Sequence, residues 1–347
     1  MTTAQATVIV CAYTMRRWGQ LAEAIASALA ERPAEVLLVI DHNEELLARA
    51  RRELPATRIM PNALRQGLSG ARNTAVLAAR GEILVFLDDD ASAEPGWLDA
   101  LLGPFADPKV LGVGGTAVPR WPTGLGRPGT LPLAADGERG VLDWVVGCSF
   151  SGQPASTGPI RNLMGCNMAV RREVAVQAGG FAESLGRVGK TPLGCEETEL
   201  CIRAVRFNPQ GRFMFEPGAR VHHHVSEDRL TWRYLRRRSF AEGVSKAMVT
   251  ALSTPGAALS SERSYALRVI PGAFWRQVRR ANAAGAAAVV TCLLWTVAGY
   301  VRGRVSIRRT GIPPRQGLED ATSAEATSGP RSSTVSVLHP GQDRRRP

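Results

Sequence analysis

The apolar run Glu82-Ile83-Leu84-Val85-Phe86-Leu87 ends in three aspartates, Asp88-Asp89-Asp90. Carboxylates crowded in this way suit a hard divalent cation such as Mg2+ or Mn2+. A short run of β-branched and large apolar residues predicts a strand buried on both faces. An unpaired buried carboxylate costs too much to continue it. The aspartates must therefore emerge at its carboxyl end, where open α/β sheets place their ligands. Taken alone, they read equally well as a solvated acidic turn that caps the next helix. Asp41 ends an earlier strand in the same manner. Two acidic tips on one edge of a parallel sheet can face one cleft. The ligand this suits is a nucleotide diphosphate, with one carboxylate reading the base and another holding a metal that neutralises the leaving phosphates.

A second acidic cluster, Glu196-Glu197-Thr198-Glu199, opens a predicted helix. Negative charge is favoured there by the helix dipole, which is sufficient reason for a lone acidic turn. Adjacent carboxylates also raise one another's pKa towards the range of a general base. Of the histidines at 222–224, a strand puts His222 and His224 on one face and His223 on the other. Arg233 and Arg237 share a helical face, with Arg236 near its edge. That face is either a solvated basic surface or, beside an acidic cleft, a binder of phosphate oxygens.

The elements that must position these groups alternate in βαβ fashion. Strands are expected at 7–11, 35–40, 57–60, 82–87 and 110–116, and helices at 18–30, 44–53 and 95–105. A further helix is expected to be N-capped by Ser69 and to run to Arg80, with Gly81 just past its end. Residues 119–165 are rich in Gly and Pro, and so long a loop is usually functional or mobile. Beyond it come a strand at 167–170, a helix at 172–178, the acidic helix to about 206, short strands at 213–215 and 220–222, and a basic helix at 229–251. Residues 283–301 form an uncharged run of 19. At 1.5 Å per residue this is roughly 28 Å, just enough for a bilayer core. Arginines flank both ends, so a spanning helix and a core or interfacial helix are both open. The Pro, Ser, Thr and Gly content after Ile312 predicts a disordered tail.

The chain has 347 residues, 44% hydrophobic, with a formal charge of +12. That suits one large α/β domain with appendages and an anionic partner. No run alternates bases with aromatic residues as single-strand nucleic-acid platforms do, and nucleic acid is not expected as a partner. The six cysteines show neither a C-x-x-C pair nor zinc spacing, which fits reduced thiols in a cytoplasmic compartment. The short polar N-terminus shows no secretory signal.

Several segments together carry a resemblance to the inverting glycosyltransferases of family 2, with the GT-A fold. They are Ala12-Tyr13-Thr14, Asp41, Gly67-Leu68-Ser69-Gly70-Ala71-Arg72-Asn73, Phe86-Leu87-Asp88-Asp89-Asp90, Gly165 to Arg172, Gly179-Gly180-Phe181 and Glu196-Glu197. The likeness spans roughly residues 7–250. Glu183-Ser184-Leu185-Gly186-Arg187, Glu196 to Cys201, and Arg237-Arg238-Ser239-Phe240 with Gly243 and Lys246 resemble more narrowly the glucosyl-dolichyl-phosphate glucuronosyltransferase branch. The resemblance implies an α/β mixed sheet flanked by helices, with a GT-A domain over 1–252, a basic and apolar membrane-associated helical segment over 253–310 and a disordered tail over 311–347. It implies a nucleotide-sugar site at Ala12, Tyr13, Asp41, Arg72, Asp88 and Asp89, and a Mg2+ or Mn2+ site at Asp90 and His223. Glu197 would be the base, beside Glu196, and Asn167, Arg237 and Arg238 would meet the acceptor or its phosphate. Cys195 stands where the family usually has Gly. The implied activity is transfer from a UDP-sugar, plausibly UDP-glucuronate, to a lipid-phosphate-linked saccharide at the cytoplasmic membrane face. The alternative is UDP-glucose-dependent polysaccharide synthesis, and a different class is a non-catalytic nucleotide-sugar-binding or membrane-binding module.

Overall fold

The computed structural model describes residues 2–134, 137, 139–186, 194–253, 265–312, 314 and 317–318. Arg187, residues 254–264 of the expected helical segment, and most of the expected tail lie outside them. The strands are β1 (Ala6–Ala12), β2 (Glu35–Ile40), β3 (Arg58–Pro61), β4 (Ile83–Asp88), β5 (Ala91–Ala93), β6 (Val110–Arg120), β7 (Gly158–Ile160), β8 (Asn167–Arg171) and β9 (Arg212–His224). The helices are α1 (Trp18–Ala30), α2 (Glu44–Glu53), α3 (Leu68–Ala78), α4 (Trp97–Leu102), α5 (Arg172–Gln177), α6 (Glu196–Phe207), α7 (Trp232–Leu252), α8 (Ile270–Arg279) and α9 (Ala283–Thr310).

The strands form one mixed sheet in the order β3-β2-β1-β4-β8-β6-β9-β5, with β7 on β9. β1 lies parallel between β2 and β4, and both its faces are covered. Val8 and Val10 join one core while Ile9 joins the other, and Val85 and Phe86 divide in the same way. Each such side chain contributes about 1.5–3 kcal/mol by leaving water. This two-sided burial is why these strands read as unbroken apolar runs. β8 then runs antiparallel between β4 and β6.

Three local expectations are corrected. β9 is one strand where two were expected, and its pairing with β6 slips between Gly115 and Thr116, around Pro217-Gly218. Its proline and glycine mark an irregularity within the strand and not its end. α3 starts after Gly67, whose φ is 130°, and Ser69 is buried with its hydroxyl donating to Leu185 O. Gly81 serves close approach: an added Cβ would fall 2.6 Å from Thr7 N. The Gly- and Pro-rich segment after β6 is held at one point by a buried carboxylate. Asp143, fully buried, accepts from both Arg127 nitrogens at 2.6 and 2.8 Å and from Gly140 N at 2.6 Å. Leu318, within the expected tail, packs into the second core, with its N–H on Gly179 O at 3.1 Å.

α7 and α9 pack closely because glycines leave room. A Cβ on Gly243 would come within 2.0 Å of Thr296 O, and one on Gly299 within 2.0 Å of Phe240 O. Phe240 and Trp295 meet edge to face beside this seam.

Candidate active site

The register of β1 puts Cys11 opposite Asp88 and Ala12 opposite Ile40, so Asp41 and Asp88 leave the sheet at the same edge. Asp41 accepts from Asn62 Nδ2 at 2.7 Å and from Gly67 N at 3.0 Å, which holds it at the start of α3. Ala12 is buried, and its carbonyl accepts from Asp41 N. Tyr13 stands exposed, with the Arg17 guanidinium 5.3 Å from its ring centroid.

The three aspartates part company. Asp88 and Asp90 converge with His223, each offering one ligand atom, and these atoms lie within 4.8 Å of one another. His223 is the buried member of its trio, as strand alternation predicts, and its Nε2 is 3.2 Å from Asp90 Oδ1. Asp90 Oδ2 meets Arg17 at 2.6 Å and Arg229 at 3.4 Å. Burial pushes this carboxyl up, but His223 and the two arginines outweigh it and hold it well below the usual range. Asp89 is buried and turned onto Arg17 at 2.9 Å, with Oδ2 left without a partner. Burial, together with Asp90 and Asp88, pushes it up to about 8 in spite of Arg17. Two carboxylates and an imidazole within reach of one point form an oxygen-rich donor set that fits Mg2+ or Mn2+.

Arg72 links this cluster to the second. It is buried on α3, 2.7 Å from Glu196, 3.4 Å from Asp88 and 2.9 Å from Gly165 O, and its guanidinium lies over Phe86 and Phe181. Glu196 is thereby a buried ion-pair partner. Both glutamates line the cavity, and Glu197, half-buried, is the more exposed of the two. Burial and the neighbouring Glu196 push its carboxyl up to about 8, with Arg72 opposing. Cys195, just before α6, has φ 71°. A non-glycine residue in this left-handed region costs roughly 1–2 kcal/mol.

Glu242 on α7, absent from the sequence expectations, gathers Arg238 at 2.8 Å, Lys246 at 3.4 Å and the Cys195 thiol at 3.4 Å. Burial pushes Glu242 up, but Lys246 and Arg238 prevail and hold it at about 2. Its spacing of four from both cations was the signal that could have found it. Arg17 and Arg229 had no such signal, because only the fold brings them to Asp90.

A cavity of about 560 Å³ is lined by Asp88, His223, Glu197 and Arg238, among others. Two expected acceptor residues stand apart from it. Arg237 is exposed and outside the lining. Asn167 is fully buried, accepting from Trp97 Nε1 at 2.8 Å and donating to Thr116 O and Ala219 O, each at 3.0 Å. Its polar atoms are engaged inside the sheet.

Residues 7–178 match the model of the glycosyl transferase family 2. The chain is 31% identical over 251 residues to the glucosyl-dolichyl phosphate glucuronosyltransferase of Haloferax volcanii, covering 71% of this chain and 77% of that one. It is 29% identical to the succinoglycan biosynthesis protein ExoM of Rhizobium meliloti, covering 71% and 75%. Among solved structures, GalNAc-T7 with UDP, GalNAc and Mn2+ superposes with a TM-score of 0.48 at 16% identity, covering 75% of this chain and about half (53%) of that one. The chain belongs to glycosyl transferase family 2. It is a glycosyltransferase whose mixed sheet, flanked by helices, is of the GT-A kind.

Proposed function

We propose that the protein is an inverting, metal-dependent transferase that moves a sugar, glucuronic acid first among candidates, from a UDP-sugar to a lipid-phosphate-linked saccharide. The observation that carries this reading is the convergence of Glu197 with Asp88 and His223 on one cavity. Asp41 reads the base, beside Ala12 and Tyr13, while Asp88 meets the ribose or sugar. Asp88, Asp90 and His223 would hold Mg2+ or Mn2+, which when bound offsets the charge that develops on the departing diphosphate. Glu197, once deprotonated, takes the proton of the acceptor hydroxyl as that oxygen attacks the anomeric carbon opposite the diphosphate. Arg72 engages Glu196 in an ion pair at 2.7 Å, which favours Glu197 as the group for proton transfer. Arg238 meets the acceptor phosphate.

The surface of α9 supports a membrane location. This helix is the one described element long and apolar enough to cross a bilayer. Its outer face exposes Leu294 (62%), Val297 (53%) and Val301 (55%). Its inner face lies on α7, which carries Arg238, Glu242 and Lys246. A transbilayer α9 would draw these charges towards hydrocarbon, which costs several kcal/mol. An orientation along the cytoplasmic membrane surface keeps them out of it.

The test is transfer from UDP-glucuronate and UDP-glucose, with Mn2+, to a glucosyl isoprenyl phosphate, followed by mass spectrometry. A product containing the added hexuronic acid is expected. The likeness to ExoM favours a second reading, transfer to a growing polysaccharide. Product formed only from UDP-glucose on an oligosaccharide would select it and overturn the first.

A further inference from the structure

The cavity extends well beyond the carboxylates, and contacts show what lies past them. Cys195, beside Glu196, reaches Glu242, and Glu242 holds Arg238 and Lys246. Gly243, next in the chain, abuts Thr296 on α9. Past this seam the lining is Leu293, Val297 and Tyr300 from α9, with Tyr265 and Ile270. The Thr296 hydroxyl is already used on Cys292 O at 2.8 Å and the Tyr265 hydroxyl on Val141 O, and Leu293, Val297 and Ile270 offer carbon. Leu293 and Val297, four residues apart, belong to two surfaces at once. They line the cavity, and they are 41% and 53% exposed beside Leu294. Apolar side chains that reach the outside of the protein and the Arg238 and Lys246 cations therefore line one cavity.

We propose that this outer half is a chain seat: an isoprenoid-type chain crosses Leu293 and Val297, lies along α9, and presents its phosphate to Arg238 and Lys246. For the sugar beyond that phosphate the proposal rests on the transferase reading above, whereas the seat itself is a binding site that can be tested alone. α9 is then a wall of the acceptor site as well as a membrane-facing helix. The acceptor reaches Glu197 from the membrane side. Each methylene that leaves water on this wall strengthens binding about fourfold. A polysaccharide would find few partners there for its hydroxyls.

The test is calorimetric titration of the full chain with a ten-carbon isoprenyl phosphate below its micelle concentration, against the corresponding alcohol and inorganic phosphate. The isoprenyl phosphate should bind at least tenfold more tightly than either. Val297→Trp, at a half-exposed opening, should weaken it at least tenfold, and Leu293→Gln should do so by polarity instead of bulk. Thermal melts verify that both variants fold. Leu294→Gln, exposed but outside the cavity, should leave the affinity unchanged. Equal binding of isoprenyl and inorganic phosphate would overturn the seat. So would a Leu294→Gln loss as large as that of Val297→Trp, which would put the chain on the outer surface. Chain-dependent binding without transfer from any UDP-sugar keeps the seat and removes the transferase reading of this acceptor. Transfer indifferent to the chain does the reverse.

Discussion

Glu196 and Glu197 are adjacent and chemically alike, yet their surroundings divide them. Both line the cavity, but one is locked to Arg72 at 2.7 Å, while the other has its pKa pushed up to about 8 by burial and by its neighbour. A base must be deprotonated, so transfer at saturating donor should rise with pH up to about 8 and then level off. Glu197→Gln should lower kcat by about 10²–10⁴-fold, the usual share of a positioned general base, and leave donor Kd unchanged. If Glu196→Gln is the dead variant and Glu197→Gln the active one, the base has been misassigned by one residue. Arg72→Gln should cost about 3–5 kcal/mol in urea unfolding, because it leaves Glu196 buried without its cation. Glu242 titrates in the opposite direction. Its carboxyl is held at about 2, below the ordinary 4.5. Its stabilisation is therefore present above about pH 4.5 and lost as pH falls from there towards 2. Acid-unfolding curves of Glu242→Gln should lack that limb, and unchanged curves would exclude Glu242 as its source.

The α7–α9 seam is an element-scale device. Helix backbones approach this closely only where glycine removes the Cβ, and Gly243 and Gly299 face the opposing carbonyl oxygens. Gly299→Val should lower stability by about 1–3 kcal/mol through overpacking, read from chemical denaturation. Replacing Leu294 and Val301 together by Gln should reduce co-sedimentation with anionic vesicles, since both lie on the exposed apolar face. Unchanged co-sedimentation would remove that face as the membrane contact. The shared face of Arg233 and Arg237 made α7 visible in the sequence, and the long uncharged run made α9 visible. Their mutual contact was not visible, because Gly243 read only as part of the family resemblance and Gly299 only as part of an Ala- and Gly-rich run.

At the scale of the molecule, the mixed sheet brings groups from four distant segments to one edge: Asp41, Asp88 to Asp90, Glu196-Glu197 and His223. A ligand bound there couples to the whole fold. UDP with Mn2+ at about 100 times its Kd should stabilise the native state by roughly 2.7 kcal/mol, seen as a rise in Tm. Asp90→Ala should remove the metal-dependent part of that rise, and a full rise in the variant would place the ion elsewhere. The +12 charge suits an anionic donor, acceptor and surface, and does not itself choose among them.

The local code alone determined the strands that end in Asp41 and Asp88, because apolar runs buried on both faces stop where a carboxylate begins. It also determined that His223 parts from His222 and His224, since alternation along a strand is local geometry. The ordered motifs carried the family. Tertiary structure alone decided where each acid points and what it meets. Asp89 turned to Arg17 because β4 had ended and alternation no longer governed it. Asn167 went into the sheet because Trp97, Thr116 and Ala219 offered it partners that only folding assembles. Arg17 and Arg229 reached Asp90 across 73 and 139 residues of chain. No periodicity extends that far, so such contacts are products of packing.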